Sequence, residues 1–171
     1  MKLDAWRHLE RGLRGLTPLA LTLVLVLLAV LPLPLREFTA VTPGLTVMSV
    51  YYWSIYRPDR LPLAATFAVG VVQDALAGTP LGLSALVLIM VQEVVVSQRR
   101  FFHGKNFLVE WWGFILVAPG AVAAGWALTS IYFGVVVPPR PLGFQLLLTI
   151  SLYPCLAWLF ARAQDHVLRP A

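Results

Sequence analysis

Residues 70–82, GVVQDALAGTPLG, combine an acidic residue with repeated glycines in the middle of an apolar chain. Asp74 interrupts a run that is otherwise uncharged, and the apolar residues around it predict a helix. Gly78 suits the C-cap of that helix, Pro80 suits a tight turn, and Gly82 suits the close start of the next helix. The stretch therefore predicts a helical hairpin in which Asp74 lies about one turn before the bend.

The composition around this hairpin is that of an integral membrane protein. Hydrophobic residues make up 59% of the 171-residue chain and charged residues only 12%, whereas soluble domains average about 25% charged residues. The mean hydropathy is +0.79. A soluble domain of this length has too small a core to bury so much apolar surface. The expected fold class is therefore all-α and integral to a membrane.

Uncharged or nearly uncharged runs predict six transmembrane helices, each close to the roughly 20 residues that cross the hydrocarbon core. The expected spans cover residues 16–35, 38–56, 61–78, 81–98, 111–133 and 142–161. Pro138 and Pro139 indicate that the fifth helix stops near Phe133. The chain, residues 1–171, is expected to form a single transmembrane domain.

The distribution of basic residues supports an even number of spans. With both termini on one side, all of the 13 basic residues except Arg36 and Arg140 fall on that side. Cytoplasmic loops are enriched in Lys and Arg, so both termini are predicted to be cytoplasmic. Residues 1–14 have the pattern of an amphipathic helix on the inner membrane surface, beside anionic lipid. The basic excess therefore reports topology, and nucleic-acid binding is not indicated.

Aromatic residues gather near the predicted cytoplasmic ends of the spans. Tyr and Trp favour the headgroup layer, which accommodates both an apolar ring and its polar group. This preference assigns interfacial positions to Tyr51, Tyr52, Trp53, Tyr56, Trp111, Trp112, Trp158 and Phe160.

Small residues on the fifth predicted span form two pairs spaced four residues apart. One pair is Gly120 with Ala124, and the other is Ala121 with Gly125. Such pairs let helices approach closely, either within one chain or between two copies.

The sequence contains none of the patterns expected for common catalytic sites. A nucleotide site needs a glycine-rich loop with Lys, a metal site needs clustered Cys, His and acidic ligands, and neither pattern is present. Ser84 in GLSAL is the nearest imitation of a protease nucleophile, but no His or Lys lies inside a span to activate it. An intramembrane aspartyl protease needs two aspartates, and only Asp74 lies within a span. We therefore expect no enzyme activity, no catalytic residue, no cofactor and no metal.

Two further acids near the membrane have structural explanations. Glu93 lies about one and a half turns before Arg99, near enough to pair with it or to extend toward the interface. Glu110 stands at the entrance of the fifth span, where an acid is favourable at a helix N-terminus, and Trp111 follows it.

Asp74 requires a compensating partner because a carboxylate at the end of its own helix opposes the helix dipole. Candidates are the amides of residues 79–82, Arg36 or Arg140 on the same face, or a residue of another protein. Two roles stay open for Asp74, a clamp on the hairpin and a direct contact at a partner interface.

The pattern around the hairpin resembles the family of the rod shape-determining protein MreD. The segments that carry the likeness are Gly70, Asp74, AGTPLGLSAL (77–86), RRFFHGKNF (99–107) and EWWGF (110–114). The length, the six predicted spans and the short loops are similar to that family as well, and the likeness is concentrated in residues 67–116.

This resemblance implies a non-enzymatic inner-membrane subunit of the bacterial cell-elongation machinery. Members of the family work with MreC, a single-span protein with a periplasmic domain. They belong to the assembly that links MreB filaments to the RodA glycosyltransferase and its penicillin-binding transpeptidase partner. The segment RRFFHGKNF, which begins with Arg99 and Arg100, then fits anchoring to anionic inner-leaflet lipid or contact with filaments.

The resemblance also implies an alternative function. The family is similar in fold to the six-helix substrate-binding subunits of energy-coupling-factor vitamin transporters. A solute-binding membrane subunit is therefore the second hypothesis, favoured by polar residues at membrane depth, which are Gln73, Asp74, Gln92 and Glu93. The first span lacks the alanine-xxx-alanine pattern that those subunits often use to dock their transporter. A packed interior without a polar cavity would exclude this alternative.

Overall fold

Helices make up nearly all of the chain that the computed structural model describes, which is residues 18–29, 44–102, 106–136 and 138–168. In these ranges the chain forms six α-helices, one short 3-10 turn at Pro58–Arg60 and no strand. The helices are α1 (Pro18–Ala29), α2 (Leu45–Tyr56), α3 (Leu63–Ala77), α4 (Leu83–Phe102), α5 (Phe107–Phe133) and α6 (Arg140–Leu168). The all-α class expected from the apolar runs is confirmed.

Several helices extend beyond the apolar runs that predicted them. α4 continues to Phe102 and α6 to Leu168, because polar residues can continue a helix outside the hydrocarbon layer. α5 begins at Phe107, four residues before the predicted span, so Glu110 lies in its first turn. α5 ends at Phe133, where the proline pair led us to expect its end.

Two of the described helices are long and apolar enough to cross a membrane, and they point to a membrane protein. They are Phe107–Phe133 and Pro141–Gln164. At about 1.5 Å per residue, each exceeds the hydrocarbon thickness of about 30 Å. Residues 1–14, expected to form an amphipathic helix, and residues 30–43, where the first span ends and the second begins, lie outside the described residues.

α2 is the central helix of the bundle. Its residues from Met48 to Ile55 are all buried, and the helix contacts α4, α5 and α6. The hydroxyls of Thr22 on α1 and Ser49 on α2 share a hydrogen bond of 2.8 Å. This bond gives two buried hydroxyls, one on each helix, a partner inside the bundle.

Three of the four aromatic residues of α2 lie in the core and not in the interfacial layer that we expected. Tyr51 and Trp53 are fully buried, and Tyr52 is 3% exposed. Phe160 of α6 is also buried, and its ring centroid lies 5.1 Å from that of Tyr52 and 5.5 Å from that of Trp53. These rings therefore join α2 to α6. The exposed members of the predicted set are Tyr56, Trp112 and Trp158.

α3 and α4 lie very close to each other at Gly70. A Cβ atom placed on Gly70 would lie 2.3 Å from the Ala85 Cα atom and 2.6 Å from the Ala85 nitrogen. Both distances are far shorter than any normal contact, and both involve the main chain of the neighbouring helix. Only glycine fits at this position, one helical turn before Asp74 on the same face of α3.

The two small-residue pairs of α5 have different surroundings. Ala121 is buried, and a Cβ atom on Gly125 would lie 3.8 Å from the Val87 side chain, so this pair faces α4. Gly120 is exposed, and nothing described lies within 4 Å of its Cβ position. One pair thus serves packing within the chain, and the glycine of the other pair faces outward.

We predict that Gly70→Ala lowers the unfolding free energy of the purified protein by roughly 1–3 kcal/mol, because the new methyl group overpacks the α3–α4 contact. The measurement is the unfolding midpoint in detergent. Gly120→Ala is the matched control, and it should leave stability unchanged or raise it slightly, since Ala favours the helix. Equal stability of Gly70→Ala and the unmodified protein would contradict the close approach of the two helices.

Candidate functional site

The carboxylate of Asp74 closes the turn between α3 and α4. It is fully buried, in the last turn of α3. Its Oδ1 atom accepts a hydrogen bond of 2.8 Å from the Thr79 hydroxyl, and its Oδ2 atom accepts one of 2.9 Å from the Gly82 amide. The Ser84 amide donates to both oxygens, at 3.2 and 3.1 Å. Donors from the turn and from the first turn of α4 therefore converge on one carboxylate.

The position of Asp74 between two helix ends explains how its charge is accommodated. A carboxylate near the C-terminus of α3 opposes the dipole of that helix, but an anion is favourable at the N-terminus of α4. The Gly82 and Ser84 amides are at that N-terminus, where main-chain donors have no partner within the helix. Asp74 therefore caps α4 from the preceding helix, as an N-cap side chain does locally.

The main chain of the turn is shaped by two glycines. Gly78 ends α3 with φ 69°, and the Thr79 amide donates to the Asp74 carbonyl at 3.1 Å. This is the longer bond of a Schellman-type helix end. The Leu83 amide then donates to the Pro80 carbonyl at 3.2 Å, and Gly82 has φ 98°. Positive φ values favour glycine, so the glycines bring the donors of α4 within reach of Asp74.

Of the compensating partners expected for Asp74, the described contacts include the Gly82 amide. The Thr79 hydroxyl and the Ser84 amide, which also donate to the carboxylate, were not among the expected partners. Arg140 is the first residue of α6, and Arg36 lies outside the described residues. The hydrogen bonds describe a clamp on the hairpin. A contact between Asp74 and another protein stays a prediction.

A second buried carboxylate, Glu110, joins three helices near the other end of the bundle. Glu110 is only 6% exposed. The hydroxyls of Tyr56 on α2 and Tyr153 on α6 donate to its two carboxylate oxygens, at 2.8 and 2.5 Å. The Tyr51 hydroxyl donates to its main-chain carbonyl at 2.9 Å. Each carboxylate oxygen thus has its own tyrosine donor, and we call these four residues the Glu110 cluster.

Aromatic packing surrounds the Glu110 cluster. The rings of Phe114 and Tyr153 are stacked with centroids 4.3 Å apart, and Tyr51 meets both rings edge-on. The indole N–H of Trp111 donates to the Ile150 carbonyl at 3.3 Å. The start of α5 is therefore tied to α2 and α6 by polar and aromatic contacts together.

The other charged residues singled out from the sequence lie on α4. Glu93 is exposed on α4, and Arg99 and Arg100 are exposed in the last turn of the same helix. That turn is about 25 Å along α4 from the Asp74 clamp, at a rise of about 1.5 Å per residue. Among the described residues, no group of three or more His, Cys, Asp or Glu side chains is arranged to hold a metal ion.

The tyrosine partners of Glu110 are contacts that were not predicted from the sequence. We assigned Glu110 to the start of a helix, which is its position, but its hydroxyl donors lie 54 and 43 residues away along the chain. The available signal was Tyr153, a phenol inside an uncharged run, because a buried phenol needs a hydrogen-bond partner.

Substitutions of Asp74 should distinguish the contribution of its charge to stability from that of its side-chain shape. We expect Asp74→Ala to lower the unfolding free energy by roughly 1–3 kcal/mol, since the amide donors of α4 lose a charged acceptor. Asp74→Asn should lose an intermediate amount, because its NH₂ group faces a donor in place of the second oxygen. The measurement is unfolding in detergent, with the exposed Glu93→Gln as the control. An Asp74→Ala protein as stable as this control would show that the clamp contributes nothing.

Removal of single tyrosine hydroxyls should show that the more deeply buried hydrogen bonds of the Glu110 cluster contribute more to stability. Tyr153 is 1% exposed and Tyr56 is 47% exposed, so we expect Tyr153→Phe to destabilise the protein by roughly 1–3 kcal/mol and Tyr56→Phe by less. The exposed Tyr132→Phe is the control, and unfolding midpoints report the difference. Equal effects at all three tyrosines would contradict a specific role for the buried bond.

The sequence of this chain was compared with models of known protein families. The family model described as rod shape-determining protein MreD matches residues 10–162 of the 171-residue chain. Comparisons with curated proteins and with solved structures gave no match. The matched range includes both buried carboxylates and nearly all of the described helices. The chain therefore belongs to the MreD family of rod shape-determining proteins.

Proposed function

We propose that this protein is a non-enzymatic scaffold of the bacterial inner membrane that binds MreC and supports rod shape and lateral peptidoglycan synthesis. The observation that carries the proposal is the match to the MreD family over residues 10–162. Family membership supports a role in rod-shape determination, and the partners are our inference from it.

The chemistry of the buried acids supports a structural role. Asp74 and Glu110 are the two buried acids among the described residues, and ionisable residues at membrane depth often mark functional sites. The oxygens of both carboxylates accept hydrogen bonds from groups of the same chain. These contacts stabilise the bundle and hold its helices in one arrangement, as a scaffold requires.

The proposed scaffold offers its partners helix faces and short connecting segments. Large apolar side chains on α5 are well exposed, including Leu116 at 77% and Ile131 at 78%. In a bilayer such residues meet lipid or the helix of a partner. MreC, with its single span, is the first partner that we expect, followed by MreB and by RodA with its transpeptidase.

The proposed topology has six spans with both termini in the cytoplasm. It places the exposed Arg57, Arg99 and Arg100 at the inner leaflet, where anionic lipids attract basic side chains. It also places the Asp74 clamp at the exported face and the Glu110 cluster toward the cytoplasm. A fold similar to that of energy-coupling-factor substrate-binding subunits is part of this proposal.

Cysteine labelling tests the topology. In a Cys155→Ala background, we expect an impermeant thiol reagent added to intact spheroplasts to label Leu81→Cys, which lies in the exposed α3–α4 turn. Asp59→Cys lies in the Pro58–Arg60 turn and should react only after the membrane is opened. Labelling of Asp59→Cys in intact spheroplasts would overturn the proposed orientation.

Loss of the protein tests the proposed function. Depletion in the native bacterium should convert rods to round cells, and the tagged protein should recover MreC from detergent-solubilised membranes. Gly120→Ala should restore rod shape, whereas Gly70→Ala and Asp74→Ala should restore it less well at equal synthesis. Unchanged rods after clean deletion, with no second copy of the gene, would refute the scaffold role.

The alternative of a solute-binding transporter subunit has no support from the comparisons. The family that the chain belongs to is described by rod-shape determination. This assignment favours the scaffold.

A further inference from the structure

A partly open cavity of about 360 Å³ lies among the helices, at the end that carries the α3–α4 turn. Each of the six described helices contributes to its lining. Its volume falls within the range of about 300–1,000 Å³ that is usual for small-molecule pockets. The lining is mainly apolar, and its polar side chains are Thr46, Gln73, Ser84, Thr129, Gln145 and Thr149.

Two of these polar side chains already have partners in the protein. The Thr129 hydroxyl donates to the Gly125 carbonyl at 2.8 Å. The Thr149 hydroxyl donates to the Gln145 carbonyl at 2.6 Å and accepts a bond of 2.9 Å from the Gly44 amide. Both hydroxyls are therefore engaged with main-chain groups of the protein.

Two other lining residues have buried polar atoms without partners. The Thr46 Oγ1 and Gln73 Oε1 atoms make no hydrogen bond within the described part of the chain. Thr46 is 2% exposed, and native proteins rarely leave such groups unpaired. Both atoms are covered from a water-sized probe, so a ligand meets them when either side chain rotates toward the cavity.

The charge of the lining determines which ligands suit the cavity. No charged side chain belongs to the lining in the ranges that the structure describes. Asp74 is the sequence neighbour of Gln73, but both of its oxygens already accept bonds from the turn. Among the described lining residues an ionic ligand would find no opposite charge, and burying an unpaired charge is costly.

We infer that this cavity binds one uncharged molecule that combines an apolar body with a hydroxyl or amide group. The apolar body packs against residues such as Val87, Leu88 and Trp126, and the polar group donates to Gln73 or Thr46. A neutral lipid from the bilayer and a small neutral solute from water share this chemistry. The inference concerns the isolated protein and is independent of its role in cell elongation.

Photolabelling of the purified full-length protein in lipid nanodiscs tests the inference. The probe is a ten-carbon primary alcohol that carries a diazirine, and the labelled residues are mapped by mass spectrometry. We expect saturable labelling of one site, within the part of α5 that lines the cavity. Competition with 1-decanol from the bilayer and with 1,2-hexanediol from water then identifies the route of entry. Success of either competitor supports the site.

Matched variants locate the probe in the cavity. Val122 belongs to the lining, and its neighbour Ala123 is exposed outside it. Val122→Phe should weaken saturable labelling at least tenfold, whereas Ala123→Phe should leave it unchanged.

A hydroxyl deletion separates binding from folding. Thr46→Val should weaken labelling while it keeps or raises the unfolding midpoint of the protein without probe, because an unpaired buried hydroxyl is removed. Equal labelling in the Thr46→Val and Val122→Phe proteins and the unmodified protein would overturn the inference. Equal competition by decane or decanoate would overturn it too, as would non-saturable labelling, which indicates a cavity that holds water only.

Discussion

The hydrogen bonds of the Asp74 carboxylate are the constraint on which the arrangement of α3 and α4 depends. Main-chain donors at the start of a helix have no partners within that helix, and lipid supplies none. Asp74 satisfies the Gly82 and Ser84 amides from the neighbouring helix. It thereby fixes where α4 begins relative to α3. Gly70, one turn earlier, removes the side chain that would keep the two helices apart at Ala85. The acid and the glycine act on neighbouring residues of α4, because the Ser84 amide donates to the carboxylate and Gly70 lies against Ala85.

The bundle contains a buried acid near each of its ends, and the two are satisfied by different kinds of donor. Asp74 uses main-chain amides and one hydroxyl within ten residues, whereas Glu110 uses tyrosine hydroxyls from α2 and α6. Hydrogen bonds of this kind are directional, so they select one rotation of each helix where apolar packing alone tolerates several. The Asp74 clamp, whose partners are near in sequence, therefore lies at one end of the molecule. The Glu110 cluster, whose partners are far apart in sequence, lies near the other end.

The difference between these two sites also shows what could be predicted from the sequence. The helical hairpin and the turn amides around Asp74 were accessible because all of the partners lie close along the chain, where turn and capping rules apply. The fully buried positions of Tyr51 and Trp53 were not, because the preference of aromatic rings for the headgroup layer competes with core packing. The partners of Glu110 were also out of reach, since nothing in the spacing of Tyr56, Glu110 and Tyr153 relates one to another before α2, α5 and α6 pack. The predicted helix ends were wrong by a few residues. Hydropathy identifies the apolar part of a span, and the helices continue into the polar residues beyond it.

The separation of these contacts along the chain has a consequence for biosynthesis. During synthesis the Asp74 carboxylate has all of its described hydrogen-bond donors once residue 84 has left the ribosome. Glu110 enters the membrane without the hydroxyl of Tyr153, which belongs to the last helix. Until α6 arrives, one oxygen of that carboxylate lacks its donor, and a chain cut short before residue 153 keeps that unmet bond. An incomplete chain of this kind would therefore carry its missing hydrogen bond beside α2, the helix at the centre of the bundle.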